Sequence, residues 1–202
     1  MADDLRALED DVAFLRALTS ETDRPLAREA AILVAVGVIF ACVDAFYWLY
    51  FAGRLSAPGL WQHVPWFAGG VLFFICVAVI TAKIPRSTGA AARAIGTAGA
   101  CVGFSLAALV PALVAGAASL QQPLLVVAIL PILLLTLYGS VWTVAFAIKR
   151  RAWFAFVAAG CFATTIACGF VMGRPEEWLV LAAGMICLVA VPAAVLLRQG
   201  TR

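Results

Sequence analysis

From Ala30 to Arg202 the chain runs 173 residues with only three acidic side chains, Asp44, Glu176 and Glu177, and ten basic ones. Nearly all of these charges sit in short connections. Between the connections lie six apolar stretches, each close to the roughly 20 residues that a helix needs to cross a bilayer. Their boundaries read Ala30–Phe51, Val64–Ala82, Ala94–Ala118, Leu124–Ile148, Ala152–Met172 and Trp178–Leu197. In hydrocarbon every backbone N–H and C=O must be satisfied within its own segment or in a closed barrel, and runs of this length and composition satisfy them as helices. The expected fold is therefore all-α, a polytopic membrane protein of six transmembrane helices with a cytoplasmic amphipathic helix at its N-terminus. It divides into a tail and hinge over residues 1–29 and a six-helix transmembrane domain over residues 30–202.

The whole chain is 65% hydrophobic, against about 45–50% for soluble globular chains. That excess excludes a soluble domain, a disordered chain and a secreted disulfide scaffold. All six cysteines (Cys42, Cys76, Cys101, Cys161, Cys168, Cys187) fall inside expected spans and none forms a C-x-x-C. They read as small apolar residues, with no disulfide and no metal site. The first apolar stretch is too long for the h-region of a signal peptide and follows an acidic segment, so it is expected to be a span.

Charge sets the expected orientation. With six spans, one side holds Arg6, Arg16, Arg24, Arg28, Lys83, Arg86, Arg93, Lys149, Arg150, Arg151, Arg198 and Arg202, and the other only Arg54 and Arg174. The positive-inside rule then puts both termini in the cytoplasm of a bacterial inner membrane. Trp48, Trp61, Trp66 and Trp178 fall near the outer boundary, and Trp142 and Trp153 near the inner one. The basic groups are too few and too scattered for a nucleic-acid surface.

Residues 2–19 have helical periodicity. Leu5, Leu8, Val12 and Leu15 form an apolar stripe that Phe14 and Leu18 widen. The polar face carries Glu9, Asp10 and Asp11 against Arg6 and Arg16. An anionic leaflet repels such a face, so the stripe is expected to meet protein. It either packs on this chain's own basic loops, Lys83–Arg93 and Lys149–Arg151, or docks a cytoplasmic partner or a second copy. Pro25 separates this helix from the first span.

Asp44 is the one formally charged residue inside an expected span. An ionisable side chain near a helix centre costs roughly 2.5–3.5 kcal/mol on insertion scales. Such residues face a bundle interior or a wet cavity and mark ion paths and proton relays. The competing role is a structural hydrogen-bonding post, or a group reaching the interface beside Tyr47, Trp48 and Tyr50. Pro111 and Pro131 flank the hairpin Ser119–Pro123 at similar depth, where paired kinks either adapt helix shape or open a cavity. In the third span Ala92, Gly96 and Ala100 form one four-spaced row of small residues, and Gly99, Gly103 and Ala107 another. This span is expected to be the packing helix of the bundle, with a dimer seam as the weaker use. Pro192 reads as close to a helix end. Thr136, Ser140 and Thr143, and Thr164 and Thr165, are expected to bond mainly to their own helices. Arg174, Glu176 and Glu177 read as a charged outer turn. His63 is the lone histidine, and no Walker, zincin or dinucleotide motif is present.

The segment Asp10-Asp11-Val12-Ala13-Phe14-Leu15-Arg16-Ala17-Leu18, followed closely by an apolar span, resembles a group of small uncharacterised bacterial inner-membrane proteins that open with an acidic D-D-x-x-F-[LM]-R-x-L helix. The resemblance covers about twenty residues and supplies no catalytic residue. It implies a neighbouring winged-helix regulator and hence a cytoplasmic partner for the N-terminal helix.

Two functions follow as expectations. The first is a non-enzymatic protein acting through contacts of the stripe Leu5, Leu8, Val12, Phe14, Leu15 and Leu18, with the lipid bilayer and a regulator, or a second copy, as partners and no cofactor. The second is a small transporter or channel for a proton, cation or small solute built on Asp44, with Pro111 and Pro131 opening the outer half. A membrane enzyme using Asp44, His63, Glu176 or Glu177 ranks third, because no spacing recommends it.

Overall fold

The computed structural model describes residues 27–56, 64–85, 90–119, 121 and 124–200. Every element among them is helical: α1 (Ala27–Phe51), α2 (Val64–Lys83), α3 (Ala90–Ser119), α4 (Leu124–Lys149) and α5 (Ala152–Val171). A composite sixth span follows, made of α6 (Pro175–Gly184), a π-helical segment (Met185–Ala190) and α7 (Val191–Gly200). Among the described residues, six helices are long and apolar enough to cross a membrane. The amphipathic helix expected over residues 2–19, with its stripe from Leu5 to Leu18, lies outside the described residues, as does His63.

The connections are tight. At the end of α1 the N–H of Gly53, in the left-handed region at φ +69, donates to Tyr50 O at 3.0 Å, and Arg54 N–H donates to Leu49 O at 2.9 Å. This is the glycine-terminated pattern that satisfies the last carbonyls of a helix. Between α4 and α5 only Arg150 and Arg151 intervene, and Arg150 itself turns the chain at φ +54.

Packing follows a simple order. α1 lies along the whole sixth span, touching α6, the π segment and α7. α5 packs on α6 and on α4, and α4 also meets α6. The two remaining helices are flanks, with α2 on α1 and α3 on α4. The core is where the inner helices meet, around Leu135, Cys161, Leu181, Val189 and Ala193, all 0% exposed.

Two expectations need correction here. The third span is not the packing helix. A Cβ added at Gly99, Gly103 or Gly116 would meet nothing within 4 Å, and Phe104 is 78% exposed. Small residues allow close approach without driving it, and the glycines that are used lie on other helices. Cβ atoms at Gly69, Gly139 and Gly160 would come within 2.8 Å of Val43, 3.1 Å of Cys161 and 2.7 Å of Leu188, respectively. Nor is Pro192 near a helix end. The sixth span begins at Pro175 and runs to Gly200, so Pro192 stands inside it, buried, two residues after the π segment. Pro111 and Pro131 also lie within continuous helices.

Candidate functional site

Asp44 sits seven residues before the end of α1, about 10 Å along the helix axis. It is 1% exposed, among neighbours that α1 itself supplies on either side. Phe40 lies one turn before it and Tyr47 nearly one turn after. Both rings meet Trp66 of α2, at centroid distances of 5.5 and 6.5 Å. Trp66 is brought there by the close approach of α2 to α1, where Gly69 faces Val43. On the other side Tyr47 packs on Trp178 of α6 at 4.9 Å, and Phe51 stacks on the same indole at 5.7 Å. Aromatic rings therefore wall Asp44 off on the side toward the α1–α2 turn.

The second acid is Glu177, the third residue of α6, also 1% exposed. Arg174 precedes the helix with extended backbone and no side-chain cap, and Pro175 opens it, a position where the missing N–H costs nothing. Glu177 Oε2 reaches back to accept the Gly173 N–H at 2.7 Å. A glutamate at this place in the first turn both satisfies an orphan donor and complements the helix dipole. Its other oxygen, Oε1, is buried without a hydrogen-bond partner, and so is Asp44 Oδ1.

α1 and α6 pack together, and the ring of Tyr47, three residues after Asp44, lies 4.9 Å from that of Trp178, the residue next to Glu177. Cys168 of α5 is 0% exposed as well. The indole Nε1 of Trp66 is a further buried polar atom without a partner. An unsatisfied buried polar group typically costs about 1–3 kcal/mol. Two unsatisfied carboxyl oxygens on facing helices therefore call for a role.

The structure thus buries both Asp44 and Glu177 on the packed helices α1 and α6 and leaves the other expected positions apart. Pro111 is exposed on α3 and Pro131 buried on α4; neither is among the residues gathered around Asp44. Glu176 is exposed, as a turn residue should be, but Glu177 turns inward. The signal for it was present. Glu177, Leu181 and Gly184 share one helical stripe, so a buried Leu181 carries Glu177 inside with it. The hydroxyls behave as expected. Thr136, Ser140, Thr143, Thr164 and Thr165 each donate to the carbonyl four residues back, and Thr136 and Thr165 also approach to 3.2 Å between α4 and α5. Among the described residues, no group of three or more His, Cys, Asp or Glu side chains is placed to hold a metal ion.

Fold and site together define a six-span helical membrane protein with a buried pair of carboxyl groups. Comparison with protein-family models, with curated proteins and with solved structures finds no match for the chain.

Proposed function

We propose that this protein moves protons across the membrane and that Asp44 and Glu177 carry them. One observation supports the reading above others: two buried acids, Asp44 on α1 and Glu177 on α6, each keep an unpartnered carboxyl oxygen, and their helices pack together with Tyr47 against Trp178 at 4.9 Å. Burying an ion costs several kcal/mol unless it is compensated, so two neighbouring carboxylates need a proton or a cation between them. Calcium takes six to eight oxygen ligands and magnesium six in near-ideal geometry, far more than the two free carboxyl oxygens here. A proton needs only one acceptor at a time. It enters on Asp44 Oδ1 or Glu177 Oε1 and leaves to water on the other side, with no bond made other than O–H.

The reading is non-enzymatic, and it places the protein in a bacterial inner membrane. With both chain ends in the cytoplasm, as the basic connections favour, the pair belongs to the outer half of the bilayer. The alternative, docking of a regulator by the stripe Leu5 to Leu18, draws no support from the described residues.

The test is proton flux. Purified protein is reconstituted in liposomes loaded with a pH-sensitive dye, and a potassium gradient with valinomycin sets the potential. Wild-type vesicles should acidify faster than empty ones, and Asp44→Asn and Glu177→Gln should each return the rate to that of empty vesicles. Wild-type vesicles that match empty ones at potentials of either sign would overturn the reading.

A further inference from the structure

The buried positions of the sixth span include Glu177, Leu181, Met185, Val189 and Ala193. Each is four residues from the next. In an unbroken α-helix each residue advances about 100°, so sixteen residues carry Ala193 about 160° away from Glu177. The two would then face opposite sides of the span. Yet α1 covers this span along α6, the π segment and α7 alike. The π segment Met185–Ala190 resolves the conflict. Its hydrogen bonds close one residue later than those of an α-helix. It therefore absorbs one residue's worth of rotation and brings the two positions to within about 60° of each other.

The neighbours and the sequence both accommodate the wider turn. A Cβ at Gly37 of α1 would stand 2.8 Å from the Ala190 nitrogen and Cβ, and one at Gly160 of α5 would stand 2.7 Å from a Leu188 methyl. Pro192 has no N–H to give to Leu188, and its ring would crowd that carbonyl in a regular α-helix. The widened turn just before it relieves that clash.

We infer that the π segment, held by Pro192 and received by Gly37 and Gly160, is the device that turns the face of α6 carrying Glu177 and Trp178 toward α1. Pro192 is accordingly a positioning residue for the carboxyl pair. The inference rests on the proposed function only for what the pair does. The register itself is geometric and is tested without proton flux.

Position 47 is paired by a short bis-methanethiosulfonate cross-linker with position 178 or 179, using Tyr47→Cys with Trp178→Cys or with Leu179→Cys. Cross-links are mapped by mass spectrometry so that the native cysteines stay in place. Trp178 faces Tyr47, whereas Leu179 is 48% exposed, so the parent should link 47 to 178 and not to 179. Inserting one alanine after Ile186 should move the link to 179. Deleting Ile186 together with Pro192→Ala converts the segment to plain α-helix in the same register and should keep the link at 178. A link that stays at 178 after the insertion, or leaves 178 after the deletion, overturns the inference. If the links follow the expected pattern in a protein that passes no protons, the proposed function falls and the register device stands.

Discussion

α1 and α3 are both long apolar helices, yet they live in different surroundings. Of the apolar window in α1, 44% of residues are buried, against 6% in α3 and 6% in α2. Side-chain size does not predict the difference, since α3 has the richest run of small residues and still presents Gly99 and Gly103 to open space. In a bilayer the lipid tails are as apolar as leucine, so hydrophobicity does not sort helices into inner and outer places. α1 differs from α3 in holding something lipid cannot accommodate, whereas α4, 50% buried with no carboxyl group, is enclosed by packing alone. Asp44 must be enclosed, and the ring contacts of Phe40, Tyr47 and Phe51 tie α1 to α2 and α6. α3 carries no such group in the middle of its span, and nothing requires its enclosure.

Paired substitutions, read as unfolding free energy in detergent or bilayer, separate enclosed from lipid-facing positions. The largest effect is expected at Leu135, 0% exposed, where Leu135→Ala should cost about 2–5 kcal/mol. Phe104→Ala on α3 removes more atoms from a 78% exposed side chain and should stay within about 0.5 kcal/mol. A cost at Phe104 equal to that at Leu135 would mean that protein, not lipid, covers α3.

Next come the glycines. Gly37→Ala drives a methyl into the Ala190 backbone and should cost about 1–3 kcal/mol. Gly99→Ala meets nothing within 4 Å and should be neutral or stabilising by about 0.5–1 kcal/mol, because alanine is the better helix former. Reversal of this order would show that the row of small residues on α3 is used after all. The smallest effect sharpens the α4–α5 seam. Thr136→Val removes the 3.2 Å approach to Thr165 and should cost about 0.6 kcal/mol, the average for such bonds in membranes.

Much of the fold was readable in advance because one cost dominates. An unpaired backbone group in hydrocarbon is so unfavourable that an apolar run of this length becomes a helix. α2 was expected to begin at Val64 and α4 at Leu124, and both do. Half of the site was readable for a related reason: a lone aspartate among apolar neighbours stands out, and Asp44 is indeed buried. Glu177 was harder to see because its place at the start of a helix, beside Arg174 and Glu176, suits a solvated turn equally well. One of its oxygens does serve that turn, through Gly173. Only the burial of Leu181 on the same stripe separates the two roles, and burial is a property of the assembled bundle.

Chain chemistry by itself determined six membrane-spanning helices, their limits to within four residues and the presence of one costly acid among them, because each follows from the transfer of individual groups between water and hydrocarbon. Tertiary structure alone decided which helices are inside, which glycines are contacts, and that Asp44 and Glu177 are both buried where α1 and α6 pack. Those outcomes depend on shape and on helical phase. A single π-helical segment shifts that phase by about 100° without altering the apolar character of the span, and hydropathy cannot register the shift.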